Sequence, residues 1–315
     1  MKRVKVDIIS GFLGAGKTTF IKKLMRDVYS DEKVVILENE FGNTRMDQET
    51  LGREGITVEL VLAGCICCSS TGDLLKGINE IIRMYEPERI IVEPTGIAKL
   101  SDVMKILQTH DIIEQTIIDH VVTIVDAKNY YIRMQISKEF FENQIRSSDI
   151  IFLSKTDQME EESIKEVIQI LHKIHPNNRI VSEVWDRIYV DQLNEILSFK
   201  IDSSEVKLPI RLSKNLQNDF ESYEIETAER ISVDQWKLFL KDVTKGSYGE
   251  IYRVKGHFRT SETDWFTLQY VPGETIILPL IQINETLNQT KISIIGRLLE
   301  VEKLKERFRM PSTVS

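Results

Sequence analysis

Gly11-Phe12-Leu13-Gly14-Ala15-Gly16-Lys17-Thr18 joins an apolar run, residues 4–9, to a helical pattern over residues 17–28. The octapeptide satisfies G-x-x-x-x-G-K-[ST], and a strand before it with a helix behind it is the setting in which that motif binds phosphate. Glycines let backbone amides turn inward around phosphate oxygens, and the helix start adds the positive end of its dipole. Gly11, Gly14, Ala15, Gly16, Lys17, Thr18 and Thr19 are therefore the expected phosphate-binding residues. Lys17 would reach the β- and γ-phosphates, and the Thr18 hydroxyl would bind Mg²⁺. A glycine-rich turn without a ligand has no use for that lysine and threonine.

Outward from this loop, short apolar runs alternate with helical patterns. Residues 33–37, 56–62, 89–92, 117–125 and 150–153 read as strands, residues 74–84 and 160–174 as helices, and residues 179–184 as an edge strand. The alternation predicts an α/β fold of the P-loop NTPase class, a mainly parallel sheet flanked by helices. The polar stretch Ile201-Asp202-Ser203-Ser204-Glu205 reads as a linker. It separates a phosphate-loop domain, residues 1–200, from a smaller α+β C-terminal domain, residues 201–315. In that second domain residues 220–227, 250–259, 265–270 and 292–295 read as strands, and residues 233–240 and 300–308 as helices. Trp265 and Tyr270 read as core or interface residues.

The formal charge of −8 argues against a general nucleic-acid binder, which carries a basic footprint. No apolar run approaches the roughly 20 residues that cross a bilayer. The N-terminal apolar stretch is too short for a signal peptide, so a cytoplasmic protein is expected. An odd number of cysteines confined to one cluster is no disulfide framework either.

Two further segments carry nucleotide chemistry. Glu93-Pro94-Thr95-Gly96 follows an apolar strand, as the D-x-x-G box does in GTPases. Its carboxylate would lie near Mg²⁺ or the attacking water, and the Gly96 amide near the γ-phosphate. Lys17 and Glu93 are thus the expected catalytic pair. Ser154-Lys155-Thr156-Asp157 sits where GTPases carry N-K-x-D. A carboxylate there accepts from guanine N1 and its exocyclic amine, whereas adenine presents the wrong pattern. Asp157 keeps that carboxylate and Lys155 can lie over the base, so GTP is the expected nucleotide, while serine in place of asparagine leaves ATP open.

All three cysteines of the chain fall in Gly64-Cys65-Ile66-Cys67-Cys68. Thiolates suit Zn²⁺, Co²⁺ and Ni²⁺. In an extended segment Cys65 and Cys67 point to one side and Cys68 elsewhere. Two or three sulfurs need a donor from outside, with Glu40 in Leu37-Glu38-Asn39-Glu40-Phe41-Gly42 the first candidate and a histidine the second. Buried cysteines acting as small hydrophobes are the plainer alternative. Such an explanation does not account for three in four positions and none elsewhere. The five histidines are scattered, and His172 and His175 read as solvent-facing.

Together these segments resemble the CobW-like branch of the CobW/HypB/UreG metal-handling P-loop GTPases. The resemblance rests on residues 11–18, on Glu38-Asn39-Glu40-Phe41-Gly42 with Asp47, and on the cysteine run with Gly72-Asp73-Leu74. Glu93-Pro94-Thr95-Gly96 and Ser154-Lys155-Thr156-Asp157 add to it, and Tyr252-Arg253-Val254-Lys255-Gly256 with Ile295-Gly296-Arg297-Leu298-Leu299 carry it into the second domain. It implies slow, Mg²⁺-dependent GTP hydrolysis coupled to delivery of zinc, cobalt or nickel to a client metalloprotein or a corrinoid pathway. It also implies Cys65, Cys67 and Glu40 as metal ligands, with Cys68 as a further one. Neither a nucleic acid nor a membrane is expected as partner, and a homo-oligomer is compatible with the reading. Asn43, where an acid often stands, and Pro94, in place of the commoner threonine, depart from the pattern. The rivals are a nucleotide-controlled scaffold that transfers no metal and an ATP-using kinase or corrinoid-handling factor.

Overall fold

The computed structural model describes residues 3–38, 59–62, 71–96, 98–201, 220–280 and 288–308. They fall into two units divided near residue 216.

In the first unit the strands are β1 (Val4–Gly11), β2 (Val34–Glu38), β3 (Glu59–Leu62), β4 (Arg89–Glu93), β5 (Thr116–Asp126), β6 (Ile150–Ser154) and β7 (Arg179–Val181). They form one seven-stranded sheet in the order β3-β2-β4-β1-β5-β6-β7. Every pairing is parallel. All the strands therefore end at the same edge, and that edge receives the segments that follow them.

The helices of this unit are α1 (Lys17–Asp27), α2 (Thr71–Tyr85), α3 (Leu100–Leu107), the single turn α4 (His110–Ile113), α5 (Tyr130–Arg146), α6 (Glu161–Ile174) and α7 (Val190–Leu197). A parallel sheet is buried on both faces, so its strands read as continuous apolar runs. On one face Ile9, Ile36, Val122, Ile124 and Phe152 pack against α1 and α7 through Phe20, Leu24, Leu193 and Ile196. On the other face Val6, Ile8, Val35 and Ile90 meet Leu74, Ile78 and Ile81 of α2 with Leu100 and Val103 of α3. Val125, Ile151 and Leu153 meet α5 and α6 through Phe141, Ile145, Val167 and Leu171. Acidic Glu161 and Glu162 open α6 while His172 and Lys173 close it, in the sense the helix dipole favours.

The second unit holds β8 (Glu221–Thr227), α8 (Val233–Val243), β9 (Glu250–Arg259), β10 (Trp265–Val271), β11 (Glu274–Pro279), β12 (Thr290–Arg297) and α9 (Val301–Phe308). Its five strands are antiparallel in the order β11-β10-β9-β12-β8. Trp236, Phe239 and Phe308 of the two helices pack with Val254, Phe258, Leu268 and Ile294 of the sheet. Helix α8 starts at a reciprocal cap: the Gln235 amide donates to Ser232 Oγ at 3.2 Å, and the Ser232 amide to Gln235 Oε1 at 2.8 Å.

Several elements depart from the sequence expectation. Helices α3, α5 and α7 and strand β11 carry no pattern that the sequence reading recognises. In α5 the cause is visible: Tyr131 and Ile132 are exposed while Arg133 and Gln144 are buried, so no apolar stripe of period 3.6 marks it. The expected strand over 179–184 stops at Val181. His172 is exposed as expected, but His175 is half-buried, and burial lowers its pKa. Of the polar stretch read as a linker, residues 202–205 lie outside the described residues, as do residues 56–58 of the expected third strand.

Near the opposite ends of these strands lies a buried ion network. Pairing of β1 with β5 jumps from Val6↔Ile118 to Asp7↔His120, a bulge that leaves Asp119 unopposed and brings two consecutive polar residues to one place. Arg89, at the start of β4, donates to Asp7 Oδ1 at 2.7 Å, Asp119 Oδ2 at 3.0 Å and Glu32 Oε2 at 2.7 Å. Its guanidinium carbon lies 4.1 Å from the centre of the Tyr29 ring, whose hydroxyl donates to Asp7 Oδ2 at 2.6 Å. His120 Nδ1 is 2.9 Å from Asp7 Oδ1, and since a carboxylate only accepts, that nitrogen carries the proton. Asp7, Asp119 and His120 are close enough together to hold a metal ion, but the Arg89 guanidinium already supplies the cation to both carboxylates.

Burial alone would raise the Asp7 carboxyl. The hydrogen bond and charge of His120, with Arg89 and Tyr29, outweigh it and hold the group below its ordinary value of 3.8. The unfolded chain thus takes up this proton at a higher pH than the folded chain. The stabilisation is complete above about pH 5 and is lost progressively as pH falls through the unfolded and then the lowered value. Acid titration of the urea midpoint should show that loss, and Asp7→Asn should flatten it. Arg89→Met should cost about 3–5 kcal/mol by urea denaturation, because it strands a buried carboxylate.

Candidate functional site

The phosphate loop leaves β1 in the middle of the sheet, between β4 and β5. Gly16, the residue before α1, has φ +102°, a left-handed conformation that a side chain would strain. Helix α1 begins with no side-chain cap and no acid in its first turn. Its first amides have no intrahelical acceptor, and nothing anionic from the helix itself competes for them. That is a fit for phosphate. Thr18 is half-buried and Thr19 exposed in this first turn.

Lys17 is buried, and its Nζ donates to the Gly11 carbonyl at 3.1 Å. Glu93 Oε1 lies 3.9 Å from the same Nζ. Both residues are under one-tenth exposed, so the pair forms in a low-dielectric setting where its attraction is strong. The last residue of β4 and the first of α1 are therefore held together.

Gly96 approaches the phosphate loop backbone to backbone. A β-carbon there would stand 2.4 Å from the Leu13 amide nitrogen and 2.8 Å from the Phe12 carbonyl carbon. Only glycine permits that approach. The Gly96 carbonyl accepts from Gln144 Nε2 of α5 at 3.1 Å. Thr95 Oγ1 beside it is buried with no hydrogen-bond partner among the described residues, leaving a hydroxyl unused next to the loop.

A third segment comes from the end of β6. The Ser154 hydroxyl donates to the Ala15 carbonyl at 2.7 Å, so the serine standing where GTPases carry asparagine still reaches the phosphate loop. Lys155 adopts a left-handed φ of 60°, and its Nζ lies 3.0 Å from Asp126 Oδ2. Asp157 is exposed on the 3-10 turn Thr156–Gln158. The expected nucleotide residues thus come from loops that leave one edge of the sheet.

Sequence reasoning missed three contributors here, Asp126, Gln144 and Trp185. Asp126 ends β5, accepts from the Asn129 amide at 3.1 Å and from Asn129 Nδ2 at 2.9 Å, and anchors Lys155. Burial would raise its pKa, but the Asn129 hydrogen bonds and the Lys155 charge hold it low. An apolar run closing on an acid was the available signal. Gln144 and Trp185 had none, since neither helix α5 nor the turn Trp185–Arg187 shows a sequence pattern. Glu40, Asp47, Cys65, Cys67 and Cys68 lie outside the described residues.

Residues 5–182 match the CobW/HypB/UreG nucleotide-binding domain, and residues 220–310 the cobalamin synthesis protein CobW C-terminal domain. The zinc chaperone YjiA of Escherichia coli is 24% identical over 264 residues, covering 81% of this chain and 82% of that protein. The zinc-regulated GTPase metalloprotein activator 1 of Schizosaccharomyces pombe is 26% identical over 320 residues, covering 88% and 77%. A crystal structure of Zn(II)-bound YjiA GTPase from E. coli aligns over 98% of this chain and 99% of that one, at 19% identity and a TM-score of 0.47. With a phosphate loop, an acid-ended β4 and the segment Ser154-Lys155-Thr156-Asp157 brought to one sheet edge and the domain match spanning them, this chain belongs to the CobW/HypB/UreG family and carries a CobW-type C-terminal domain.

Proposed function

We propose that this chain is a Mg²⁺-dependent GTPase that uses nucleotide turnover to hand a transition metal to a client protein. Zinc is the cargo that the names of its relatives favour, ahead of cobalt or nickel. One observation carries the reading. The last residue of β2, Glu38, is in register with Leu62, the last residue of β3, and with Glu93 of β4. Glu40 follows two residues after Glu38, and Cys65 three residues after Leu62. The strand ends that precede the candidate metal ligands in the chain therefore lie beside the acid that pairs with the phosphate-loop lysine.

Mg²⁺, held through the Thr18 hydroxyl, would supply charge neutralisation at the phosphates. The rest is the chain's own work. Lys17 exchanges its Gly11 carbonyl partner for phosphate oxygens, which draws its charge away from Glu93. Glu93, released from that pairing, orients the attacking water. Gly96, whose backbone lies against Phe12 and Leu13 with no room for a β-carbon, follows any shift of the phosphate loop. Asp157 accepts from the guanine edge, and Ser154 keeps that base loop in register with Ala15. Cys65, Cys67 and Glu40, with Cys68 as a further donor, bind the cargo metal. A second domain, assigned to residues 201–315, selects the client.

Lys17→Ala should lower GTP hydrolysis on the order of 10²-fold or more while zinc stoichiometry stays unchanged. Asp157→Ala should weaken GTP far more than ATP in competition binding, because the mispaired guanine donors penalise only the former. Cys67→Ser should weaken metal binding while nucleotide affinity is retained. Thiolate-to-Co²⁺ charge-transfer absorption reads this directly, and an unaltered Co²⁺ spectrum and affinity in that variant would remove the cysteine run from the metal site.

A further inference from the structure

The segment after β7 carries Trp185, half-buried, on the turn Trp185–Arg187. Its indole lies against the first turn of α1. A β-carbon built on Gly16 would meet the ring at 3.3 Å, and the ring centre of Phe20, one turn on, is 5.3 Å away in edge-to-face geometry. Gly16 and Phe20 are four residues apart, so the ring spans one face of the turn that presents the phosphate-binding amides. The indole N–H donates to the Leu153 carbonyl at 2.9 Å. Leu153 precedes Ser154, whose hydroxyl holds the Ala15 carbonyl. The same segment is pinned further along α1, where buried Lys23 donates to the Ile188 carbonyl at 3.1 Å.

We infer that Trp185 is a positioning residue of the nucleotide site, clasping the phosphate-binding turn to the base loop so that phosphate and base contacts form together. The inference rests on the proposed GTP binding. Three features make the clasp specific. A β-carbon at position 16 would press on the ring at 3.3 Å, closer than ordinary van der Waals contact. The N–H reaches β6 one residue before the base loop begins. The Ser154 hydroxyl makes the reciprocal link from that loop to the phosphate loop. A change in either loop on nucleotide binding must therefore alter the surroundings of the indole. The exposed residues Tyr189 and Val190 lie just beyond it and take no part in the clasp.

The chain has three tryptophans, and the other two, Trp236 and Trp265, are buried in the second unit. Emission of the wild-type protein should shift when Mg²⁺-GDP or Mg²⁺-GTP is added, and Trp185→Phe should abolish the shift. That variant keeps an aromatic ring but loses the N–H. It should raise KM and Kd for GTP roughly 3- to 10-fold, the worth of one hydrogen bond, with kcat within about twofold. Trp185→Ala should weaken GTP further. Titration calorimetry separates the failures. If the wild type binds no nucleotide, the GTP-binding reading and this inference both fall. If it binds nucleotide while emission and the affinity of Trp185→Phe are unchanged, only the clasp is overturned.

Discussion

A single direction shared by all seven strands of the first sheet is the constraint on which everything else depends. Because β1 lies between β4 and β5, the loop that follows it meets the ends of both neighbours. Lys17 then finds Glu93, Gly96 meets Phe12 and Leu13, and Ser154 of β6 reaches across to Ala15. None of these residues is close in sequence to its partner. Antiparallel pairing at any one of these strands would send its following loop to the opposite edge.

The two ends of the sheet put charge to different uses. At one end Arg89 is paired in full, with Asp7, Asp119 and Glu32 around it and Tyr29 beneath it. A network so completely bonded has nothing left to offer a ligand. At the other end Lys17 rests on a backbone carbonyl with Glu93 at the limit of ion-pair distance, and Thr95 keeps a buried hydroxyl unpartnered among the described residues. Lys17 and Glu93 are buried, and a ligand that replaces the partners they give up offsets the cost of exchanging them.

Much of the site is legible in the amino-acid sequence. Residues 11–18 stand out because phosphate binding needs glycine, lysine and threonine at fixed spacing. Glu93 and Ser154 are legible because each closes an apolar strand. Asp126 closes a strand in the same way, yet no motif around it marks its role. Helix α5 is illegible for a physical reason: its buried Arg133 and Gln144 bond Asp126 and the Gly96 carbonyl, so buried polar contacts override the apolar period. His175 shows the same limit, since burial at a helix end depends on what packs over it.

By itself the sequence determined which groups are available: a phosphate loop, an acid-ended strand, a carboxylate in the segment after β6 and a run of thiols. These are local properties, set by residue type and spacing within a few positions. Only the tertiary structure decided that Glu38 aligns with both Leu62 and Glu93, that a serine performs the link to Ala15, and that Trp185 touches both the start of α1 and Leu153 of β6. Strand order and register are set by packing across the whole sheet, and no single segment contains that information.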